Sequence, residues 1–513
     1  MSRGKMHSSV FTSRCIIGLT LALAWLLSYA AFAQPPNFVV INIDDLGYAD
    51  IGPFGSTNKT PNLDRMAKEG RRLTSHYAAP VCSPSRAALM TGSYAKRALP
   101  IAHVLFPASE VGLNPNEVTV AELLKSAGYA TACYGKWHLG DQSGFLPTDQ
   151  GFDTYFGIPY SNDMGPGADG SKSSLGEPLP QTTPTKIAEG KKQTEELGIR
   201  GMAQPPLPLM EHHQVVGRVN AQEQAEVTRL YTERAIEFIR KHKDKPFFLY
   251  LPHTAVHFPH YPAERFKGKS PNGLYGDWVE EIDWSVGQVL DTVRELNLQA
   301  NTLVIFTSDN GGPVNQGAHN GPLHGAKGQT FEGGIRTCTM AWWPGRIPAG
   351  TSTDAMTSMM DLLPTFAKLG GVALPTDRKL DGVDIWPVLA GEPQTPPRDT
   401  FFYFSGLRLE AVRSGPWKLH LALADNAGNR KGSPRPQLFH LGSDLGEKND
   451  LASEQPKVVA QLQSLVQSMQ SDLGIEGIGP GCRPLGRTAN PQPLISLDGS
   501  VRADAVASVK QFP

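Results

Sequence analysis

Two apolar runs that each end on a pair of acid or amide side chains constrain this chain more than any other feature. Phe38 to Ile43 (FVVINI) leads into Asp44-Asp45, and Thr302 to Thr307 (TLVIFT) leads through Ser308 into Asp309-Asn310. Neither run alternates polar with apolar residues. Both suit strands covered on two faces, as in a parallel sheet between helices. Pro246 to Leu251 (PFFLYL) is a third such run, and Tyr129 to Lys136 is strand-like. Between them lie segments of helical periodicity: Pro61 to Gly70, Glu117 to Ser126, Val227 to His242, Tyr275 to Leu296, and Met359 to Leu369 closed by Gly370 and Gly371. This alternation predicts an α/β layered fold with a largely parallel central sheet.

The 513 residues exceed one small domain. After about Gly391 the pattern changes to short strands (Phe401 to Phe404, Ala411 to Arg413, Lys418 to Leu421, Gln437 to Leu441) and a helix, Pro456 to Leu473. The organisation expected is a signal over 1–33, a catalytic domain over 34–390, a small α+β subdomain over 391–473 and a tail without strong pattern over 474–513. Gly157 to Gln214 is rich in Gly, Pro, Ser and Lys and reads as a long excursion over the active face.

Arg3, Lys5 and Arg14, the apolar run Ile16 to Leu27 and the small-x-small Ala31-Phe32-Ala33 form a secretory signal pattern. The run falls short of the ~20 residues that span a bilayer, so no stable membrane insertion is expected. Cys15 leaves with that signal. Cys82, Cys133, Cys338 and Cys482 show no paired CxxC spacing, against a zinc knuckle or a disulfide scaffold. So few cysteines point to a periplasmic or secreted protein rather than a lysosomal one. Lys+Arg number 48 and Asp+Glu 49, a net charge of −1, so no basic field calls for nucleic acid.

In open α/β sheets, sites form beyond the carboxyl ends of the strands. If the two acid-ended strands are neighbours, Asp44, Asp45, Asp309 and Asn310 converge. Such an all-oxygen set selects one hard divalent cation, Ca²⁺ or Mg²⁺. Taken singly, each pair also fits turn or cap chemistry. Cys82 precedes a helical segment with Ser83 as N-cap, Pro84 in the first position and Arg86 one turn on. A thiol there fits an anion site, a reactive thiolate or an inert cysteine. Lys136 and His138 alternate about Trp137, so an extended segment puts both on one face. His253 and His257 are four apart, but Pro252 and Pro259 argue for a loop. Lys327 lies among glycines that permit close approach to a ligand.

These segments together resemble the formylglycine-dependent sulfatases. Cys82-Ser83-Pro84-Ser85-Arg86 through Thr91-Gly92 is similar to the family's first signature, and Gly135-Lys136-Trp137-His138-Leu139-Gly140 to its second. Asn42 to Gly47, Ser308 to Gly312 and Lys327 to Gly334 follow in the family's order, and Gly157 to Ser161 is most like arylsulfatase A. Met90 stands where Leu is usual. The resemblance, from about Asn37 to Leu451, implies an alkaline-phosphatase-like fold: a large mixed β-sheet flanked by helices, with a small antiparallel C-terminal sheet.

By that resemblance, a separate formylglycine-generating maturation enzyme oxidises Cys82 to formylglycine. One hydroxyl of its hydrate attacks the sulfur of a sulfate-ester substrate, and the other later expels sulfate. The ion on Asp44, Asp45, Asp309 and Asn310 polarises the sulfate. Arg86 and Lys136 hold the hydrate, and His138 is the base. Lys327 and His257 bind sulfate, one of them protonating the leaving oxygen, and Ser161 matches an active-site serine. His257 is preferred to His253 because the family's histidine directly precedes an aromatic-Pro pair, here Phe258-Pro259. Two rivals remain: a phosphodiesterase or phosphatase on the same scaffold, and a non-catalytic protein whose Cys82 is never modified.

Overall fold

A computed structural model describes Met1 and residues 35–392, 397–423 and 433–506. The signal pattern and Cys15 lie outside these residues. Along the chain the strands are β1 (Asn37–Ile43), β2 (Arg71–Tyr77), β3 (Val111–Gly112), β4 (Ala130–Tyr134), β5 (Thr154–Gly157), β6 (Leu207–Glu211), β7 (Gln214–Val219), β8 (Phe247–Pro252), β9 (Thr302–Ser308), β10 (Arg336–Trp342), β11 (Thr351–Thr353) and β12 (Thr357–Ser358). Apart from β3 they form one sheet in the order β11-β2-β10-β9-β1-β8-β4-β5-β6-β7, with β12 also on β2. Its centre, β9-β1-β8-β4-β5, is parallel. β10 runs antiparallel to β9 and β2, and β6-β7 is an antiparallel hairpin beside β5. The sheet is therefore mixed.

Burial explains the unbroken apolar runs. Val39, Ile41 and Ile43 face one layer, with Trp278, Ile282 and Val286 of the helix Gly273–Glu295. Phe38 and Val40 face the other, with Leu124 of the helix Val120–Ser126 and Phe366 of the helix Leu362–Leu369. Side chains alternate along a strand, and here both faces are dry. Each such aliphatic side chain contributes ~1.5–3 kcal/mol on burial. In register, Ile43 of β1 stands beside Ser308 of β9. The two parallel strands therefore deliver Asp44-Asp45 and Asp309-Asn310 to the same edge.

The segment 157–214 is more regular than its composition suggests. It holds the helix Pro184–Lys192 and strand β6, and β6 and β7 extend the sheet. A second sheet, β13-β14-β15-β16, comprises Thr400–Ser405, Arg408–Ser414, Trp417–His420 and Gln437–His440, followed by the helix Pro456–Leu473. The described residues after Gly474 pack back on the main body. β17 (Gly486–Arg487) pairs with β3, Leu494 and Ile495 are buried, and Arg483 Nε donates to Glu117 Oε1 at 2.6 Å. Among the described residues no helix is long and apolar enough to cross a membrane.

Candidate active site

Asp44, Asp45, Asp309 and Asn310 are all fully buried at the carboxyl ends of β1 and β9. Asp45 adopts φ 63°, a left-handed conformation that Asp tolerates better than most residues. Its N–H donates to Asp309 Oδ1 at 3.3 Å, and Asn310 Nδ2 donates to Asp45 Oδ1 at 2.8 Å. Each carboxylate also meets a cation. Lys136 Nζ pairs with Asp44, and Lys327 Nζ lies 2.7 Å from Asp45 Oδ2. Arg86 donates through Nε and Nη2 to Asp309 Oδ2 at 3.0 and 2.8 Å. Burial pushes the Asp44 carboxyl up, but Lys136, then His257, Arg86 and Lys327, outweigh it and hold the group below its ordinary 3.8. Burial and the adjacent Asp44 charge instead push Asp309 up, to about 6, against the pull of Arg86.

The donor set fits a hard cation. Asn310 Oδ1 is buried and accepts no hydrogen bond, an acceptor that needs a partner. With its amide reversed, that oxygen would face Asp45 Oδ1, an arrangement tolerable with a cation between them. The nearest ligand atoms of Asp44, Asp45, Cys82 and His257 lie within 4.8 Å of one another. The two leading acids thus also sit beside a thiol and an imidazole that were not in the oxygen set read from the sequence.

Cys82 is the first residue of the helix Cys82–Thr91 and is 2% exposed. The N-cap is Val81, without a side-chain cap bond, rather than Ser83. Ser83 Oγ instead accepts from Leu105 N at 3.2 Å. Pro84 falls third in the helix, where no N–H is needed for an intrahelical bond. Cys82 Sγ donates to Asp44 Oδ1 at 3.3 Å. Burial first, then the Asp44 charge, push the thiol well above its ordinary range despite Lys136 and Lys327. The sulfur is therefore a thiol at neutral pH, which weighs against a phosphatase-type thiolate. The Arg86 guanidinium binds Asp309 and the Lys136 carbonyl and lies 3.6 Å from Asp44, the carboxylate that Cys82 Sγ contacts.

Lys136 and His138 both turn inward, but not by strand alternation. β4 ends at Tyr134, Gly135 has φ 135°, and His138 has φ 64°. A Cβ at Gly135 would lie 1.9 Å from the Pro252 carbonyl, so only glycine permits this crossing. Lys136 Nζ also donates to Ser161 Oγ at 3.1 Å. His138 Nε2 sits 2.9 Å from the Leu105 carbonyl, which requires the proton on Nε2. Its Nδ1 is left a buried lone pair without a partner. Burial, then Lys136 and Arg86, keep its pKa well below 6.5, so the ring is neutral.

His257 joins the cluster, with Nε2 3.5 Å from Asp45 Oδ2 and Nδ1 3.3 Å from Ser161 Oγ. His253 does not: it is buried against Ser285, and burial lowers its pKa to about 3. Lys327, with a side chain 22% exposed, and His257, at 11%, are more open than the fully buried Lys136 and Arg86.

The Lys327 loop is held by charges the sequence did not reveal as functional. Lys418 Nζ, on β15, donates to the Thr330 carbonyl at 2.8 Å and lies 2.9 Å from both Glu332 and Glu447. Glu332 N donates to Glu447 Oε2 at 2.7 Å. The small sheet thereby anchors the loop. Lys418 within the strand-like WKLHLAL was the only signal, and a solvated lysine gives the same pattern.

Comparison with known proteins agrees with this geometry. Residues 36–372 match the sulfatase family, and residues 396–476 match the C-terminal region of aryl-sulfatase. The chain is 35% identical to N-acetylgalactosamine-6-sulfatase of Canis lupus familiaris, covering 91% of this chain and 94% of that protein. It is 37% identical to arylsulfatase A of Bos taurus, covering 88% and 90%. Among solved structures, Ps i-CgsB in complex with k-i-k-neocarrahexaose superposes with a TM-score of 0.69 at 30% identity, over 85% of this chain and 93% of that one. The chain belongs to the sulfatase family and is a sulfuric ester hydrolase, with the family's large mixed sheet and small C-terminal sheet.

Proposed function

We propose that this sulfatase works through a formylglycine made from Cys82 and one divalent ion, Ca²⁺ or Mg²⁺, held by Asp44, Asp45, Asp309 and Asn310. The observation that carries the reading is the placement of Cys82 Sγ against Asp44, inside a cluster where three carboxylates meet Arg86, Lys136 and Lys327. Those charges cancel. A bound divalent ion would leave the cluster at +2, suited to the single negative charge of a sulfate monoester. When bound, the ion would supply positive charge to polarise the sulfate and favour ionisation of a hydroxyl. The hydrated aldehyde supplies one hydroxyl to attack sulfur and a second whose deprotonation restores the aldehyde and frees sulfate.

The chain's own residues set the protons and the charge. Arg86 and Lys136 hold the hydrate, Arg86 from its pairing with Asp309 and Lys136 from its pairing with Asp44. His138 takes a proton on Nδ1, because Nε2 is committed to the Leu105 carbonyl. Lys327 and His257, the members open to solvent, bind the incoming sulfate, and one gives a proton to the leaving oxygen. Ser161 bridges Lys136 and His257 and keeps both directed at the same point. The substrate class is a sulfated carbohydrate before an aryl or lipid sulfate, in keeping with the similarity to N-acetylgalactosamine-6-sulfatase and to Ps i-CgsB in complex with k-i-k-neocarrahexaose. A separate maturation enzyme is the implied partner. Residues 1–33 act as an export signal to the periplasm or exterior, 34–390 as the catalytic part, 391–473 as the small subdomain and 474–513 as its tail.

The test is sulfate release from a panel of aryl and carbohydrate sulfates by enzyme matured with a formylglycine-generating enzyme. Wild type should turn over at least one, and Cys82→Ala none, with its fold intact. Turnover by Cys82→Ala would overturn the mechanism.

A further inference from the structure

Two segments beside the site carry side chains that the chemistry above leaves unused. Leu105 is pinned on both sides: its N–H donates to Ser83 Oγ at 3.2 Å, and its carbonyl accepts from His138 Nε2 at 2.9 Å. The backbone bearing His103 and Phe106 therefore lies directly over the neighbour of Cys82 and the proposed base. His103 is exposed and Phe106 half-buried. A second strip comes from the long insertion. Phe106 N donates to the Leu197 carbonyl at 2.7 Å and Ile199 N to the Pro107 carbonyl at 2.8 Å. Gly198 has φ 109°, and a Cβ there would lie 2.6 Å from the carbonyls of Phe106 and Pro107, so the two strips meet only because it is glycine.

This zipper carries Arg200 onto the Phe106 ring. Its guanidinium lies 4.7 Å from the Phe106 ring centroid. The His103 ring lies parallel to Phe106, 6.4 Å away and 3° from coplanar orientation. Stacking on an aromatic ring pre-orients the planar fork of an arginine. The guanidinium is weakly engaged otherwise. Its nearest carboxylate, Glu195, is 3.4 Å away with a side chain 65% exposed, a pair that solvent screens. Arg200 Nε is buried without a hydrogen-bond partner. Neighbouring Glu196 is taken by Arg487 at 2.5 Å. The His103 pKa is lowered by partial desolvation first, then by Arg200 and Lys327, so the three groups share one field.

We propose that Arg200 and His103, ordered about the Phe106 ring, form a subsite for a second anionic group on the leaving alcohol, so that the favoured substrate is a polyanionic saccharide. The inference rests on the sulfatase mechanism above and specifies its substrate. The scissile sulfate occupies Lys327 and His257. Arg200 is a further cation on the strip that holds His103 and Phe106, and its fork matches a carboxylate or a further sulfate in bidentate geometry. His103 adds a ring face and a donor to the same saccharide unit.

The experiment compares matured wild type with Arg200→Ala and Arg200→Lys on three esters: 4-nitrophenyl sulfate, a monosulfated disaccharide, and the disaccharide carrying a second sulfate. Losing one charge-assisted contact predicts that Arg200→Ala lowers kcat/KM on the disulfated sugar ~10–100-fold, mostly through KM. The losses on the aryl sulfate and the monosulfated sugar should be at least about ten-fold smaller, and Arg200→Lys should recover part of the effect. Equal losses on all three esters, or no loss on the disulfated one, would overturn the subsite while leaving the sulfatase mechanism standing. Absence of sulfate release from every ester by wild type would remove the mechanism and the subsite with it.

Discussion

Glu281 lies on the helix Gly273–Glu295 with its side chain fully buried. One carboxyl oxygen accepts from Ala263 N at 2.8 Å, and the other has no partner. Burial pushes its pKa from 4.5 to about 8, only partly offset by the Ala263 bond and Arg265. Below pH 4.5 the group is protonated whether the chain is folded or not, and it carries no penalty. Between 4.5 and about 8 the folded chain keeps a proton that the unfolded chain has lost, so stability falls as pH rises through this window. At ~1.4 kcal/mol per unit, the folded state at pH 7 bears a penalty of about 3 kcal/mol, an upper bound if water reaches the site. Glu281→Gln keeps an acceptor for Ala263 and cannot ionise. It should be near neutral at about pH 4.5 and stabilise by ~2–4 kcal/mol at about pH 8. Guanidinium unfolding followed by circular dichroism at both pH values measures the difference. An equal effect of the substitution at the two values would refute the assignment of a desolvated carboxyl.

Three further variants test the site. Lys418→Met leaves Glu332 and Glu447 buried without their shared ammonium; breaking such a pair costs ~3–5 kcal/mol, so the thermal midpoint should drop clearly, and a loss under about 1 kcal/mol would contradict the network. Because Glu332 is held well below its ordinary 4.5, where burial is outweighed by Lys418, then Arg336 and Arg413, the stabilisation is present above that value and lost as pH falls below it, and Lys418→Met should flatten this acid limb. Asp45→Asn should lose the divalent ion and turnover together, read by elemental analysis and sulfate release, and stoichiometric zinc in the wild type would contradict the oxygen-ligand reading. Lys327→Ala should keep the fold and lose ~10²–10³ in rate, and near-normal turnover would make it a surface residue.

The parts of the fold legible in the sequence are those where one physical demand governs a whole segment. Phe38 to Ile43 and Thr302 to Thr307 are dry on both faces, so their runs reveal a covered strand, and the acids that follow reveal the site edge. The helix Pro456–Leu473 shows the same ends in sequence and structure, with Pro opening it and Gly474 following. β2 is different. Its Ser75 and His76 are buried but polar, with His76 Nδ1 3.0 Å from Thr357 Oγ1, so the strand is satisfied by partners remote in sequence. The hairpin β6-β7 contains Pro208 and an exposed Gln214 and lies at the sheet edge, where the apolar signal fades. The Ser83 cap failed because a helix can begin before its proline. Lys418 and Arg200 were invisible for one reason: the partners that define them come from strands and loops tens of residues away, and a buried or stacked cation is spelled like a solvated one.

The most direct test is mass spectrometry of the tryptic peptide Leu73 to Arg86 from catalytically active enzyme. It should show position 82 with its thiol sulfur replaced by an aldehyde oxygen and two hydrogens lost, the peptide should react with a hydrazine probe, and iodoacetamide should leave activity unchanged. An intact Cys82 thiol in active enzyme, with activity abolished by iodoacetamide, would contradict the formylglycine mechanism.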